Sequence, residues 1–181
     1  MSEPVTALGG AAFDGSATIT EAARTGMITV RGDLSSGPLK RAVRDATGLA
    51  IPKQGTMAQK DVYGIAWMSP DEVLVLCPYD DVADTVAQLH TALGDTFSMA
   101  VDVSDARAMF TLSGDAASVL AKLAPVDLSD AAFPPGSFRR TRLAQVAAAV
   151  WRNADDSYQV VCFRSVAQYV FDILKNAAQP R

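Results

Sequence analysis

The residues that could do chemistry in this 181-residue chain are few: one histidine, two cysteines and a scatter of carboxylates. His90 lies in "VAQLHTAL". The spacing of Val82, Val86, Leu89 and Leu93 predicts a helix whose inner face they line, which leaves His90 on the outer, solvated side. A serine triad needs an imidazole base, and His90 is the only one; GxSxG is absent as well. CxxC, HExxH and HxE with a downstream PCxxC are all missing, so zinc peptidase or deaminase chemistry has no support, and no metal-ligand set is expected. Neither GxGxxG nor GxxxxGK[ST] occurs; Gly9-Gly10 and Gly136 read as turn or linker glycines.

Cys77 in "VLVLCPY" and Cys162 in "QVVCFRS" read as buried thiols at the ends of core strands. Asp71-Glu72, Asp80-Asp81 and Asp155-Asp156 fall in expected turns or caps, where a short exposed acid bonds backbone N–H groups. Asp102 in "VDVSD" interrupts a core-like strand. It is open between a polar residue on the outer sheet face and a carboxylate that makes a buried contact. Two basic groups stand out: Lys40, Arg41 and Arg44 on the first helix, and Arg139, Arg140 and Arg142 after "FPPGS". The first suits a solvated helix face. The second suits plain surface or a partner contact, since arginine pairs two ways with a carboxylate.

Composition bounds the rest. Hydrophobic residues make up 49%, enough for a packed core at this length. The formal charge is −4 with bases scattered, which argues against a nucleic-acid binder. No apolar run has the roughly 18 to 20 residues of a membrane span. The N-terminal segment lacks the basic and apolar regions of a signal peptide, so a cytoplasmic location is expected.

Residues 1–26, rich in Ala, Gly, Ser and Thr, read as an extended arm that packs on something else. Met27 to Leu34 starts as a strand. Ser36 and Pro38 open a helix with Leu39, Ala42, Val43 and Ala46 facing inward, closed at Gly48. Residues 49–60 read as a loop. "DVYGIAWMS" and "VLVLC" are strands around an acidic turn, and Asp80 or Asp81 caps the helix that follows. "SMAVDVS" and "ARAMFTLSG" are strands, with Met99, Val101 and Val103 on one face of the former. Ser113 caps a short helix stopped by Pro125. A strand is expected from Leu143 to Trp151 and another at "SYQVVCF". Ser165 and Gln168 form a capping box on a last helix, and the tail from residue 177 frays.

The two halves read alike. Each runs strand, helix, proline-containing loop, strand ending in tryptophan (Trp67, Trp151), acidic turn, strand ending in cysteine (Cys77, Cys162), helix. This predicts an α+β fold of two pseudo-repeated split βαβ, ferredoxin-like halves, each an antiparallel sheet with helices on one side. The expected boundaries are 27–104 and 105–176, the two halves together forming one compact unit. The second half lacks its last strand, which the N-terminal arm or the region around Phe138 would supply.

At "RGDLSSGPLKRAVRDATGLAIPKQG", "WMSPDEVLVLCP", "VDVSDARAMFTLSGDAASVLAKLAPVDLSDAAFPPGSFRRTRLAQVAAAVW" and "YQVVCFRSVAQYVFDIL" the chain resembles the gamma-subunit family of heterotetrameric sarcosine oxidases. More distantly it resembles the folate-binding domain of the glycine-cleavage aminomethyltransferase family, through Gly114, Asp115, Asp127, Gly136, Arg140 and Arg142. The resemblance implies a complex that oxidatively demethylates sarcosine to glycine, forming hydrogen peroxide and 5,10-methylenetetrahydrofolate. It implies FAD, FMN, NAD, tetrahydrofolate and zinc on the alpha, beta and delta partner subunits, with none assigned to gamma and no catalytic residue to carry over. Gamma then has a structural role and packs mainly on alpha. The alternative is a free-standing folate-binding or aminomethyltransferase-like protein. Partner contacts are expected from irregular, partly apolar segments: Pro52 and Lys53, and Phe133, Pro134, Phe138, Arg139, Arg140 and Arg142.

Overall fold

A computed structural model describes residues 5–179. The chain runs β1 (Ala12–Asp14), β2 (Ala17–Glu21), β3 (Thr25–Gly32), α1 (Gly37–Thr47), β4 (Met57–Lys60), β5 (Tyr63–Ser69) and β6 (Glu72–Pro78). It continues α2 (Val82–Leu93), β7 (Ser98–Asp102), β8 (Arg107–Gly114), α3 (Ala116–Ala121), β9 (Phe138–Leu143), β10 (Val146–Arg152), β11 (Tyr158–Phe163) and α4 (Ala167–Ala178). Two compact units result: Arg24–Asp105, and the described residues before and after it.

In Arg24–Asp105 the sheet order is β4-β5-β6-β3-β7, all pairs antiparallel. Alternation along the strands turns Ile28, Val30, Ile65, Val73, Val75 and Ala100 to one face. There they meet Leu39 and Val43 of α1 and Leu89 and Leu93 of α2. Each such fully buried aliphatic side chain contributes about 1.5–3 kcal/mol. Ser36 caps α1 by accepting from Leu39 N, and Pro38 occupies the first turn.

The second unit repeats this plan with the order β1-β2-β8-β11-β10-β9, again antiparallel throughout. Phe110, Leu112, Val150 and Val160 pack on α3 through Val119 and Leu120, and on α4 through Val170 and Leu174. Position for position, β8, β10 and β11 correspond to β3, β5 and β6. The place of β7 is taken by β2, from the N-terminal side. The expected arm is therefore a strand. Ala17 and Ile19 are 1% and 0% exposed and alternate with Thr18 and Thr20, a strand pattern written in small residues. In an unbroken repeat α4 would lead directly into this strand. The two ends meet, with Ser16 N donating to Ala178 O at 2.8 Å. A Cβ on Gly15 would stand 2.2 Å from that carbonyl, so only glycine fits the join.

Residues 6–10 wrap around Glu21. Its carboxylate accepts from Thr6 Oγ1 at 2.8 Å, Leu8 N at 2.8 Å and Gly10 N at 2.7 Å. Arg164 Nη2 holds the carbonyls of Val5 and Thr6.

Several local expectations change. The loop 49–60 ends in edge strand β4. The single strand at Leu143 to Trp151 is a hairpin, β9 and β10, joined by Ala144 and Gln145 with Ala144 at φ 49°. Asp115, not Ser113, begins α3; Asp81 precedes α2 without a side-chain cap; and Gln168 bonds Asp172 rather than closing a capping box. The tail does not fray at 177: Ala177 and Ala178 are buried in α4, and Lys122 Nζ donates to Ala177 O at 2.7 Å. The rest of the expected tail, Pro180 and Arg181, lies outside the described residues.

Candidate partner-contact surface

The groups that could react are committed to structure. His90 lies on the outer side of α2 as expected, but it is not idle: its Nε2 donates to Ala100 O at 2.7 Å. Four Asp-x-Ser sequences build turns. Asp33 accepts from Ser35, Asp102 from Ser104, Asp127 from Ser129 and Asp155 from Ser157. For Asp33 and Asp155 the serine hydroxyl bond, and for Asp127 the Ser129 backbone N–H, holds the carboxyl below its usual range. Asp102 is thus a turn-building acid, not a buried ligand. Gly114 and Gly136, at φ 77° and 83°, likewise end strand β8 and turn the chain before β9. Among the described residues no group of three or more His, Cys, Asp and Glu could hold a metal ion, and no helix is long and apolar enough to cross a membrane.

Cys77 and Cys162 are buried, free thiols. Burial pushes each up to about 11. Both should therefore stay unreactive to a thiol reagent at neutral pH until the chain unfolds. The raised folded value also fixes a sign. Thiol protonation favours the folded state fully below about pH 9, where the unfolded thiols are neutral too. That stability falls as pH rises toward about 11. Reagent uptake against pH, read beside the unfolding midpoint, checks both points.

The expected contact residues divide by burial. Phe133 and Phe138 are 0% and 1% exposed and leave the partner surface. Phe133 stacks on Tyr158 with centroids 6.0 Å apart, and Phe138 on Trp151 at 6.3 Å. The two prolines made this segment look like an exposed loop, but Phe133 fills the helix-side core of its unit and Phe138 is buried against Trp151 on the opposite sheet face. Pro134 is exposed beside them. Arg139 donates Nη1 to Phe138 O at 2.8 Å, with its guanidinium 5.6 Å from the Phe133 ring. Arg140 and Arg142 are exposed on β9, the outer strand of its sheet, on one face and opposite Ala149 and Ala147. Pro52 is half-buried and Lys53 exposed in the other unit. Within its own unit the structure sets Arg140 and Arg142 on one face of β9 and Arg139 on the other, beside the Phe133 ring.

One surface escaped sequence reasoning. Phe97 is 99% exposed, and Met99 and Val101, on the same side of β7, are 42% and 43% exposed. The alternation of Met99 and Val101 was visible. That this face lies open could not be read, because β7 became an outer strand only through the pairing order.

The family described as "Sarcosine oxidase, gamma subunit family" matches residues 31–179. "Sarcosine oxidase subunit gamma" of Corynebacterium sp. (strain P-1) is 32% identical over 166 residues, 90% of this chain and 80% of that protein. A chain of the heterotetrameric sarcosine oxidase from Corynebacterium sp. U-96, solved with pyrrole 2-carboxylate, superposes with a TM-score of 0.82 at 27% identity, covering 90% of this chain and 83% of that one. The glycine cleavage aminomethyltransferase T of Bartonella henselae shares the fold, with a TM-score of 0.58 at 14% identity; the match covers 85% of this chain and 44% of the transferase.

Proposed function

The chain belongs to the sarcosine oxidase gamma subunit family, and from that premise we propose that it is a non-catalytic, structural subunit of a cytoplasmic heterotetrameric oxidase. The complex demethylates sarcosine, or a close N-methyl amine, to the parent amine, with hydrogen peroxide and 5,10-methylenetetrahydrofolate as co-products. Alpha is the main contact, with beta and delta completing the assembly, and the cofactors lie on those subunits. The observation that carries the structural reading is where the reactive groups are spent. The histidine holds a strand carbonyl, the thiols sit in the cores, and the Asp-x-Ser acids close turns. General acid–base work needs a group within hydrogen-bond reach of substrate, and these are turned to the chain's own backbone.

What remains for function is surface. Arg140 and Arg142 project from one face of an outer strand and suit pairing with partner carboxylates, and Pro134 and Arg139 are further exposed candidates. Pro52 and Lys53 form a second candidate contact. Co-expression with the neighbouring subunits tests the proposal: a tag on this chain should retain a flavoprotein subunit in one-to-one ratio. An isolated chain that stays monodisperse and oxidises sarcosine, or binds folate itself, would overturn it.

A further inference from the structure

Phe97 lies in the turn between α2 and β7, after Thr96 N donates to Leu93 O at 2.8 Å. Its ring meets almost nothing of its own chain. Together with Met99 and Val101 it forms an apolar stripe along an outer strand, and contiguous exposed apolar surface of this kind marks interaction sites. At the Phe97 end the stripe borders a cavity of about 630 Å³ in the same unit. Gly32 is on its lining, with Pro70, Phe97 and Met99 as apolar neighbours. Gly32 takes φ 152°, and a Cβ there would stand 2.8 Å from Leu39 Cδ1 and 3.3 Å from Phe97 O. The glycine therefore lets the Phe97 turn sit against β3.

The charge around this cavity is one-sided. Its single cation, Arg31, is taken by Asp71 at 3.1 Å and Glu72 at 3.6 Å. Asp33, also on the lining, makes no ion pair among the described residues; Ser35 chiefly holds it ionised, with a weaker attraction from Lys40. An apolar hollow with an unpaired acid at its rim calls for an apolar anchor flanked by a cation.

The strand edge itself is closed to simple strand addition. Val103 N donates to Met27 O at 2.8 Å, so odd-numbered positions along β7 turn their backbone groups to β3. Even-numbered ones face the open edge, and the central carbonyl among them, Ala100 O, is taken by His90 Nε2. An edge with its middle acceptor occupied is protected against a pairing strand. Docking here must use side chains.

We infer that Phe97, Met99 and the adjoining cavity are a docking surface for the flavoprotein subunit of the complex, which presents an apolar side chain flanked by lysine or arginine. The inference rests on the assembly reading above for the source of that subunit. It adds a site that the arginine strand β9 does not contain.

The test uses the co-expressed complex with the tag on this chain, comparing wild type with Phe97→Asp, Asp33→Asn and Val62→Asp. Val62 is 65% exposed and lies outside the cavity lining, so it controls for the loss of any surface hydrophobe. Asn at 33 keeps an acceptor for Ser35 and removes only the charge. Phe97→Asp should cut retention of the flavoprotein subunit by about tenfold or more. It should leave the unfolding midpoint of the isolated chain unchanged, because the ring packs on nothing. Asp33→Asn should weaken retention less and reduce its sensitivity to salt, and Val62→Asp should match wild type. Full retention by Phe97→Asp overturns this site and leaves the assembly reading intact. Wild type that retains no flavoprotein subunit overturns both. An isolated wild-type dimer that Phe97→Asp converts to monomer assigns the surface to a second copy and overturns the partner named here.

Discussion

Removing residues 1–23 is expected to abolish folding of the six-stranded unit while leaving Arg24–Asp105 folded. The deletion takes out β2, which pairs with central strand β8 at five positions and places Ile19 in the core at 0% exposure. Losing the burial of Ile19 alone costs about 1.5–3 kcal/mol. Each buried β8 backbone group left without a partner adds about 1–3 kcal/mol. Against a typical total of about 5–15 kcal/mol, the sum consumes most of the stability. Amide exchange should show protection retained in β3, β5 and β6 and lost in β8, β10 and β11. A rescue separates this account from general damage. Because Ser16 N and Ala178 O are 2.8 Å apart, joining the N-terminal segment to the end of α4 through a short Gly-Ser linker should restore the strand and its protection. A truncated chain that keeps β8 protected would show β2 to be an accessory.

Replacing Phe133 with alanine should lower the unfolding free energy by about 3–5 kcal/mol, the usual loss for a buried phenylalanine truncated in place. The ring is wholly enclosed and stacks on Tyr158 at 6.0 Å, so its removal leaves a cavity the neighbours cannot fill. Pro134→Ala, one residue on and exposed, should stay within about 0.5 kcal/mol of wild type. Urea unfolding of the two variants measures the contrast. A Phe133→Ala loss below about 1 kcal/mol would place the ring outside the core and return it to the partner surface.

The sequence showed the α+β class, the antiparallel sheets and the helices on one side, because the apolar run of β6 and the helical spacing of α1, α2 and α4 were strong. It missed what depends on pairing across the chain. β2 has the right period, but its short polar residues look like linker. β9 is "FRRTRL", whose charges suit only an outer strand, and its turn at Ala144-Gln145 lacks the glycine or asparagine that announces a hairpin. The repeat also carried a hidden offset. Trp67 packs with the helix-side core of its sheet, whereas Trp151 turns to the face opposite Val150. The tryptophans are 84 residues apart and the cysteines, both on helix-side faces, 85. A shift of one residue along a strand reverses its face: in the 85-residue register that the two hairpins share, Trp67 corresponds to Arg152 and Trp151 to Ala66.

For the candidate surface the sequence read charge better than burial. Arg139, Arg140 and Arg142 stand exposed as written, since arginine is seldom buried without a partner. Phe133 and Phe138 were placed with them because prolines broke every periodic signal that would have marked a core. Phe97 was passed over for the opposite reason. One aromatic in a short turn carries no period, and its exposure follows from the sheet order, not from its neighbours in sequence.

Native mass spectrometry of the assembly co-purified through a tag on this chain separates a structural subunit from a free-standing protein. One copy of this chain should appear bound to a flavoprotein subunit within a heterotetramer, with no sarcosine turnover by the chain when it is released. A free chain that is monodisperse, associates with no flavoprotein and oxidises sarcosine would contradict the structural role.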